Sequence, residues 1–207
     1  MKKQINGIYT IIDPQETNDI LNLCSRIAQT ELNIIQYRDK ENNFETMLNI
    51  ASKLKTICDK YNKIFIINDY PELAKKINAD GVHVGEKDTS INICRNILSS
   101  NQIIGTSNNN ISEVKKSIKK NVDYIAIGKI FPTTTMGKED RSVVGVDILN
   151  QAKEITKIPI VGIGGINQNN VESVKNTGAD AICIVSAITK AKNPEQVINN
   201  INNILNN

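Results

Sequence analysis

The sequence predicts an α/β protein folded as a single (β/α)8 barrel, and three observations predict it. Short β-branched runs alternate with amphipathic helical stretches eight times along 207 residues. No linker rich in Pro, Gly or Ser interrupts the alternation, so residues 1–207 read as one domain. The alternative, an open dinucleotide-binding sheet, carries GxGxxG after its first strand, and that turn is missing here. Helical crossovers make neighbouring strands parallel, and eight such units close the sheet and abolish its edges.

The first strand is expected at residues 8–12. Helical spacing follows between residues 17 and 30, at Ile20, Leu21, Cys24, Ile27 and Ala28. A second apolar run begins at Ile34 and leads into Gln36, Tyr37 and Arg38. The next helix aligns Met47, Leu48, Ala51, Leu54, Ile57 and Cys58. Residues 64–67 form the third strand, and Pro71 opens a short helix where its missing amide needs no partner. Further strands are expected at 81–85, 103–106, 124–127, 160–163 and 181–185. Helices are expected at 91–98, 112–119, 146–155 and 170–176, and a last one starts near 194. With no Trp, three Phe and five Tyr, the core has to come from Ile, Leu, Val and Ala, of which Ile and Val favour strands.

Composition excludes several classes of function. The formal charge is +3, with acidic and basic residues interspersed, so no field for nucleic acid is expected. Lys115, Lys116, Lys119 and Lys120 fit the wet face of one helix. Cys24, Cys58, Cys94 and Cys183 form no CxxC pair and fall in apolar patterns, which points to core packing in a reducing compartment. The apolar run at residues 8–12 is too short for a signal peptide or a membrane span, so a cytoplasmic protein without a membrane partner is expected. The oligomeric state is left open, a homo-oligomer included.

Polar residues break the apolar pattern after the strands, on the side where a barrel gathers its loops. Gln36, Arg38 and Lys40 share a parity and point one way along an extended backbone. Arg38 and Lys40 suit a phosphoryl group; the alternative is a solvated strand end with ion pairs to Asp39 or Glu41. Asn68 and Asp69 end the third strand, and Asp88 follows the fourth. Two carboxylates from adjacent loops can hold Mg²⁺ together with diphosphate oxygens, or Asp69 simply caps the helix at Pro71. His83, the only histidine, reads as a hydrogen-bonded core residue rather than a base. Ser107 ends the fifth strand.

The polar loop at residues 131–144 carries Thr133, Thr134, Thr135 and Lys138. It is long enough for a lid, or is a surface insertion. Gly162, Gly164 and Gly165 surround the end of the seventh strand, and Val185 and Ser186 end the eighth, where barrels often cradle phosphate with backbone amides. Two anionic sites follow, without a serine–histidine–acid triad, and direct transfer between two bound substrates fits them better than a covalent enzyme intermediate.

These segments resemble the thiamine phosphate synthase family. The resemblance rests on Gln36-Tyr37-Arg38-Asp39-Lys40, Ile67-Asn68-Asp69, Gly81-Val82-His83-Val84-Gly85-Glu86-Lys87-Asp88, Ile104-Gly105-Thr106-Ser107, Gly128-Lys129-Ile130-Phe131-Pro132-Thr133, Gly162-Ile163-Gly164-Gly165-Ile166 and Val185-Ser186-Ala187-Ile188. They occur in family order over nearly the whole chain. The resemblance implies a TIM-barrel transferase that joins a hydroxymethylpyrimidine diphosphate to a thiazole phosphate and releases pyrophosphate, with Mg²⁺ on the diphosphate. It implies that Arg38, Lys40, Asn68 and Ser107 hold the diphosphate, with Arg38, Lys40 and Ser107 assisting its departure. Asp69 and Asp88 would bind Mg²⁺, and Gln36 would lie by the pyrimidine. Thr133, Thr135, Gly165, Val185 and Ser186 would bind the thiazole phosphate.

Two positions depart from the family pattern. Met136 stands where Lys is common after Thr-x-Thr, and Lys129 stands where Pro is common. Lys129 or Lys138 is therefore expected to restore the missing charge. The alternatives are a thiazole tautomerase of the same fold, whose typical members depart from the Arg-x-Lys and Asn-Asp pattern kept here, and a non-catalytic binder of phosphorylated ligands.

Overall fold

The computed structural model describes residues 2–135 and 142–207. Met136 and Lys138 lie outside the described residues. Eight strands form a closed parallel barrel in sequence order: β1 Gly7–Ile12, β2 Leu32–Tyr37, β3 Ile64–Asn68, β4 Gly81–Val84, β5 Ile103–Asn108, β6 Tyr124–Ile127, β7 Ile160–Ile163 and β8 Ala181–Cys183. Gly7 pairs with Ala181 to close the ring. The helices are α1 Ile20–Ile27, α2 Phe44–Lys60, α3 Pro71–Lys76, α4 Ile91–Ile97, α5 Ile111–Lys119, α6 Asp147–Ile155, α7 Val171–Lys175, α8 Ser186–Thr189 and α9 Pro194–Asn206. The expected elements are all present. The short α8 was not expected, because four residues are too few to show a helical period. Among the described residues no helix is long and apolar enough to cross a membrane.

Strand parity divides the core in two. Ile34, Ile64, Ile66, Ile103, Val161 and Ala181 pack inside the barrel with Tyr9 and Tyr124. Ile35, Tyr37, Phe65, Ile67, Val82 and Ile104 face outward against the helices. All four cysteines are free and buried, and burial pushes the Cys94 thiol up to about 11, as packing rather than thiolate chemistry requires. The four lysines of residues 115–120 are exposed, as their helical spacing predicts.

Local capping explains the helix boundaries. Asp19, Asn43, Ser90, Asn110 and Asn193 each accept a first-turn amide of the helix that follows. Glu113 answers Asn110 by accepting from the Asn109 amide, which satisfies a second amide at the same helix start. Asn62, Asn78 and Asn121 adopt φ of 54°, 52° and 56° just after α2, α3 and α5, so asparagine ends helices where glycine often does. Asp69 does not cap α3: its N-cap is Tyr70, with no side-chain hydrogen bond, so the capping alternative does not hold.

The amino-terminal end of the barrel carries a four-fold repeat that the sequence reading missed. An amide of the first or second residue of each odd strand is accepted by the side chain of Asn33, Asp80, Asp123 or Asp180, each just before or at the start of the next even strand. Each aspartate also returns its own amide to the carbonyl of the residue it caps. The three carboxylates are further met by Lys3, by Lys2 and Arg95, and by Lys153.

Candidate active site

The opposite end of the barrel is open. A cavity of about 740 Å³ there is lined by Gln36, Arg38, Lys40, Asn68, Asp69, His83, Asp88 and Ser107, together with Asn109, Asn110 and the 85–87 loop. The shared parity of Gln36, Arg38 and Lys40 works as expected, because β2 turns its odd-facing neighbours Ile35 and Tyr37 to the helices. Asp39 turns away with them. It accepts from the Tyr37 hydroxyl at 2.6 Å and from the Asn42 amide at 3.0 Å, locking the loop that presents the two cations. Burial opposes ionisation of Asp39, but these donors outweigh it and hold the carboxyl below its ordinary value.

Arg38 therefore does not pair with Asp39 or Glu41. It bonds Asp13, a buried carboxylate at the end of β1 that the sequence reading passed over. A polar residue directly after the first apolar run was the available signal. Lys40 bonds Asp69, which also accepts from Asn68 Nδ2 at 2.6 Å. Asp69 adopts φ 62°, a left-handed conformation that non-glycine residues rarely take, and it brings the carboxyl to Asp88. Asp88 is held by the Gly85 amide at 2.8 Å.

The two carboxyls titrate apart. Burial, with Asp88 opposite, raises Asp69 above its usual range despite Lys40. Burial opposes ionisation of Asp88 too, but the contact with Asp69 and the Gly85 amide carry it below its usual range. Among the described residues no group of three or more metal-ligating side chains occurs, so the protein offers a cation two carboxylates. That donor set suits Mg²⁺, which takes one or two carboxylates and completes its shell with water and phosphate oxygens.

A second, smaller cavity is lined by Thr133, Thr135, Gly164, Gly165, Val185 and Ser186. Ile163 lines both cavities, so they are neighbours at one end of the barrel. Thr135 Oγ1 donates to Ser186 Oγ at 3.2 Å, tying the loop after β6 to the start of α8. Gly165, at φ 67°, comes so close to that loop that an added Cβ would lie 2.6 Å from the Pro132 carbonyl oxygen. Lys129 is buried beside Gly164 and does not line the large cavity. Its carbonyl accepts from the Val144 amide, which anchors the far end of the 131–144 loop.

Gln36 is buried at 2% exposure, and its Oε1 is the one buried side-chain polar atom among the described residues with no hydrogen-bond partner. Its Nε2 donates to Tyr9 Oη. Burial raises the Tyr9 and Tyr124 phenols far above their ordinary range, so both stay protonated. His83 bonds Tyr124 and Ser107, which agrees with the expected structural role.

A protein-family model described as thiamine monophosphate synthase matches residues 8–188. The thiamine-phosphate synthase of Persephonella marina is 35% identical over 209 residues, covering 100% of this chain and 99% of that protein. That of Prochlorococcus marinus is 36% identical over 190 residues, and the match takes 92% of this chain but only 53% of the relative, so the chain spans about half its length. The thiamine phosphate pyrophosphorylase structure from Pyrococcus furiosus superposes with a TM-score of 0.89 at 30% identity, covering 97% of this chain and 95% of that one. With the family model covering most of the chain and full-length relatives above 30% identity, the chain belongs to the thiamine monophosphate synthase family of enzymes.

Proposed function

We propose that the barrel condenses 4-amino-2-methyl-5-hydroxymethylpyrimidine diphosphate with 4-methyl-5-(2-phosphoethyl)thiazole, releasing thiamine phosphate and pyrophosphate. One observation supports this above the others. A large cavity whose lining includes Arg38, Lys40, Asp69 and Asp88 adjoins a small one built from hydroxyls and a glycine turn, with Ile163 as the shared wall. The first suits a diphosphate, and the second a phosphate monoester.

In this reading Arg38, Lys40, Asn68 and Ser107 bind the diphosphate, and Gln36 receives the pyrimidine. Thr133, Thr135, Gly165, Val185 and Ser186 hold the thiazole phosphate. Asp69 and Asp88 would hold Mg²⁺, which would supply electron withdrawal from the diphosphate. The pyrimidine methylene–oxygen bond breaks first, and Arg38, Lys40 and Ser107 stabilise the charge that grows on the leaving group. The cation left behind is resonance-stabilised and is attacked by the thiazole nitrogen. That nitrogen brings its own lone pair, so no side chain acts as a base, consistent with a histidine engaged in the barrel interior. Holding both substrates in adjoining cavities removes most of the entropic barrier to their meeting. Asp13 is a positioning residue for Arg38.

The test is pyrophosphate release in the presence of Mg²⁺, with both substrates and then with each alone. Release that requires both is expected. Isomerisation of a thiazole alone would indicate the tautomerase, and retention of ligands without release a binding protein; either would overturn the proposal.

A further inference from the structure

Five side chains form one hydrogen-bonded chain through the barrel interior. Gln36 Nε2 donates to Tyr9 Oη at 2.5 Å, and Tyr9 Oη lies 3.0 Å from Tyr124 Oη. Tyr124 Oη lies 2.8 Å from His83 Nδ1, and His83 Nε2 lies 2.9 Å from Ser107 Oγ. Strand register builds the middle of it. His83 pairs with Gly105 and Gly105 with Tyr124, so the three stand in one row across β4, β5 and β6. The Tyr124 ring crosses Gly105 to reach His83, and a Cβ there would lie 2.0 Å from the ring. Both ends of the chain, Gln36 and Ser107, face the large cavity.

A hydroxyl both donates and accepts, and a neutral imidazole has one nitrogen of each kind. The chain therefore has two internal proton orders. In the first, Gln36 Nε2 donates inward and Tyr9 donates to Tyr124, which donates to His83 Nδ1. His83 Nε2–H then donates to Ser107 Oγ, and the Ser107 proton is left to face the cavity. Reversal gives the second. Ser107 donates to His83, the phenols donate toward Gln36, and the amide nitrogen faces the cavity instead of the oxygen. Only the first order presents Gln36 Oε1, the buried atom without a partner.

We propose that this chain couples recognition at the two ends of one ligand, so that an anion accepting the Ser107 proton commits Gln36 to accept a hydrogen bond from a ring amine. The inference rests on the pyrimidine diphosphate reading of the cavity. An aminopyrimidine diphosphate satisfies both ends of the first order at once. The 4-oxo analogue turns a carbonyl toward Gln36 Oε1, and to be accommodated it needs the second order, which withdraws the Ser107 proton from the diphosphate. Discrimination between amine and carbonyl is thus strengthened by the diphosphate itself. Tyr9, Tyr124 and His83 are positioning residues in this scheme, acting through Gln36 and Ser107.

The single histidine makes the proton order directly readable. With ¹⁵N-histidine label, Mg²⁺ and pyrophosphate, the full chain should show His83 protonated at Nε2 and bare at Nδ1. Calorimetry should show pyrophosphate strengthening binding of the unphosphorylated aminopyrimidine alcohol by about fivefold or more and weakening the 4-oxo alcohol. In Tyr124→Phe both pyrimidines should respond to pyrophosphate alike. Tyr9→Phe cuts a different link and gives the same expectation should the first variant fold poorly. An Nδ1–H tautomer with pyrophosphate bound, or opposite responses of the two pyrimidines persisting in both variants, would overturn the coupling. If neither pyrimidine bound, the pyrimidine assignment itself would fall and the coupling with it. The imidazole spectrum, which needs no pyrimidine, tells that failure from a fault in the chain.

Discussion

The two ends of this barrel treat carboxylates in opposite ways. At the amino-terminal end, Asp80, Asp123 and Asp180 each accept a strand amide and meet at least one cation. At the carboxyl-terminal end, Asp69 and Asp88 are brought against each other, and burial raises one of them. The first arrangement is complete without a ligand. The second leaves two carboxyls in contact with each other and an acceptor at Gln36 unmet. Satisfied groups hold the strands in register, and unsatisfied ones mark where, under the proposed function, a cation and a polar ligand would complete the structure.

The comparison breaks most visibly at Asp69. Asp69→Ala should lower turnover about 100-fold or more, measured as pyrophosphate release at limiting Mg²⁺. Unchanged turnover there would remove its assigned role. At the other end, Asp123→Ala should cost roughly 2 kcal/mol of stability, because it strands the Ile104 amide and leaves Arg95 short of a partner. Urea unfolding reads that loss, and turnover per folded molecule should stay at the wild-type value.

A smaller effect sharpens the comparison at the edge of the site. Lys129→Ala and Lys138→Ala test whether either lysine supplies the charge that Met136 withholds. At least one should reduce turnover about tenfold, as loss of a contact to a growing charge would. If both equal wild type, the compensation idea fails. The smallest expected change concerns stability without metal. Asp69→Asn removes a carboxyl whose ionised form the fold disfavours, so the metal-free variant should gain up to about 1 kcal/mol in thermal unfolding. Added Mg²⁺ should stabilise the wild type and not this variant.

Much of the fold was legible because periodicity is local. Alternating strand and helix patterns marked all eight units. The site residues were legible where a polar residue broke an apolar run at a strand end, as at Gln36, Asn68 and Ser107. Their shared position at one barrel end then follows from parallel strands alone. Asp13 was legible by the same signal and was missed. The repeat of Asn33, Asp80, Asp123 and Asp180 was harder to see, since its meaning depends on the strand before each residue.

What the sequence determined by itself was the barrel, the end of it that gathers the candidate site, and the residue types found there. Each follows from the order and spacing of side chains along one strand or helix. Tertiary structure alone decided the partners: Arg38 with Asp13, Asp69 against Asp88, and the path from Gln36 through two phenols and an imidazole to Ser107. Those pairings join residues 24 to 115 positions apart or turn on a single left-handed backbone angle. Closing the sheet brings them together, and no local pattern records the distance across a barrel.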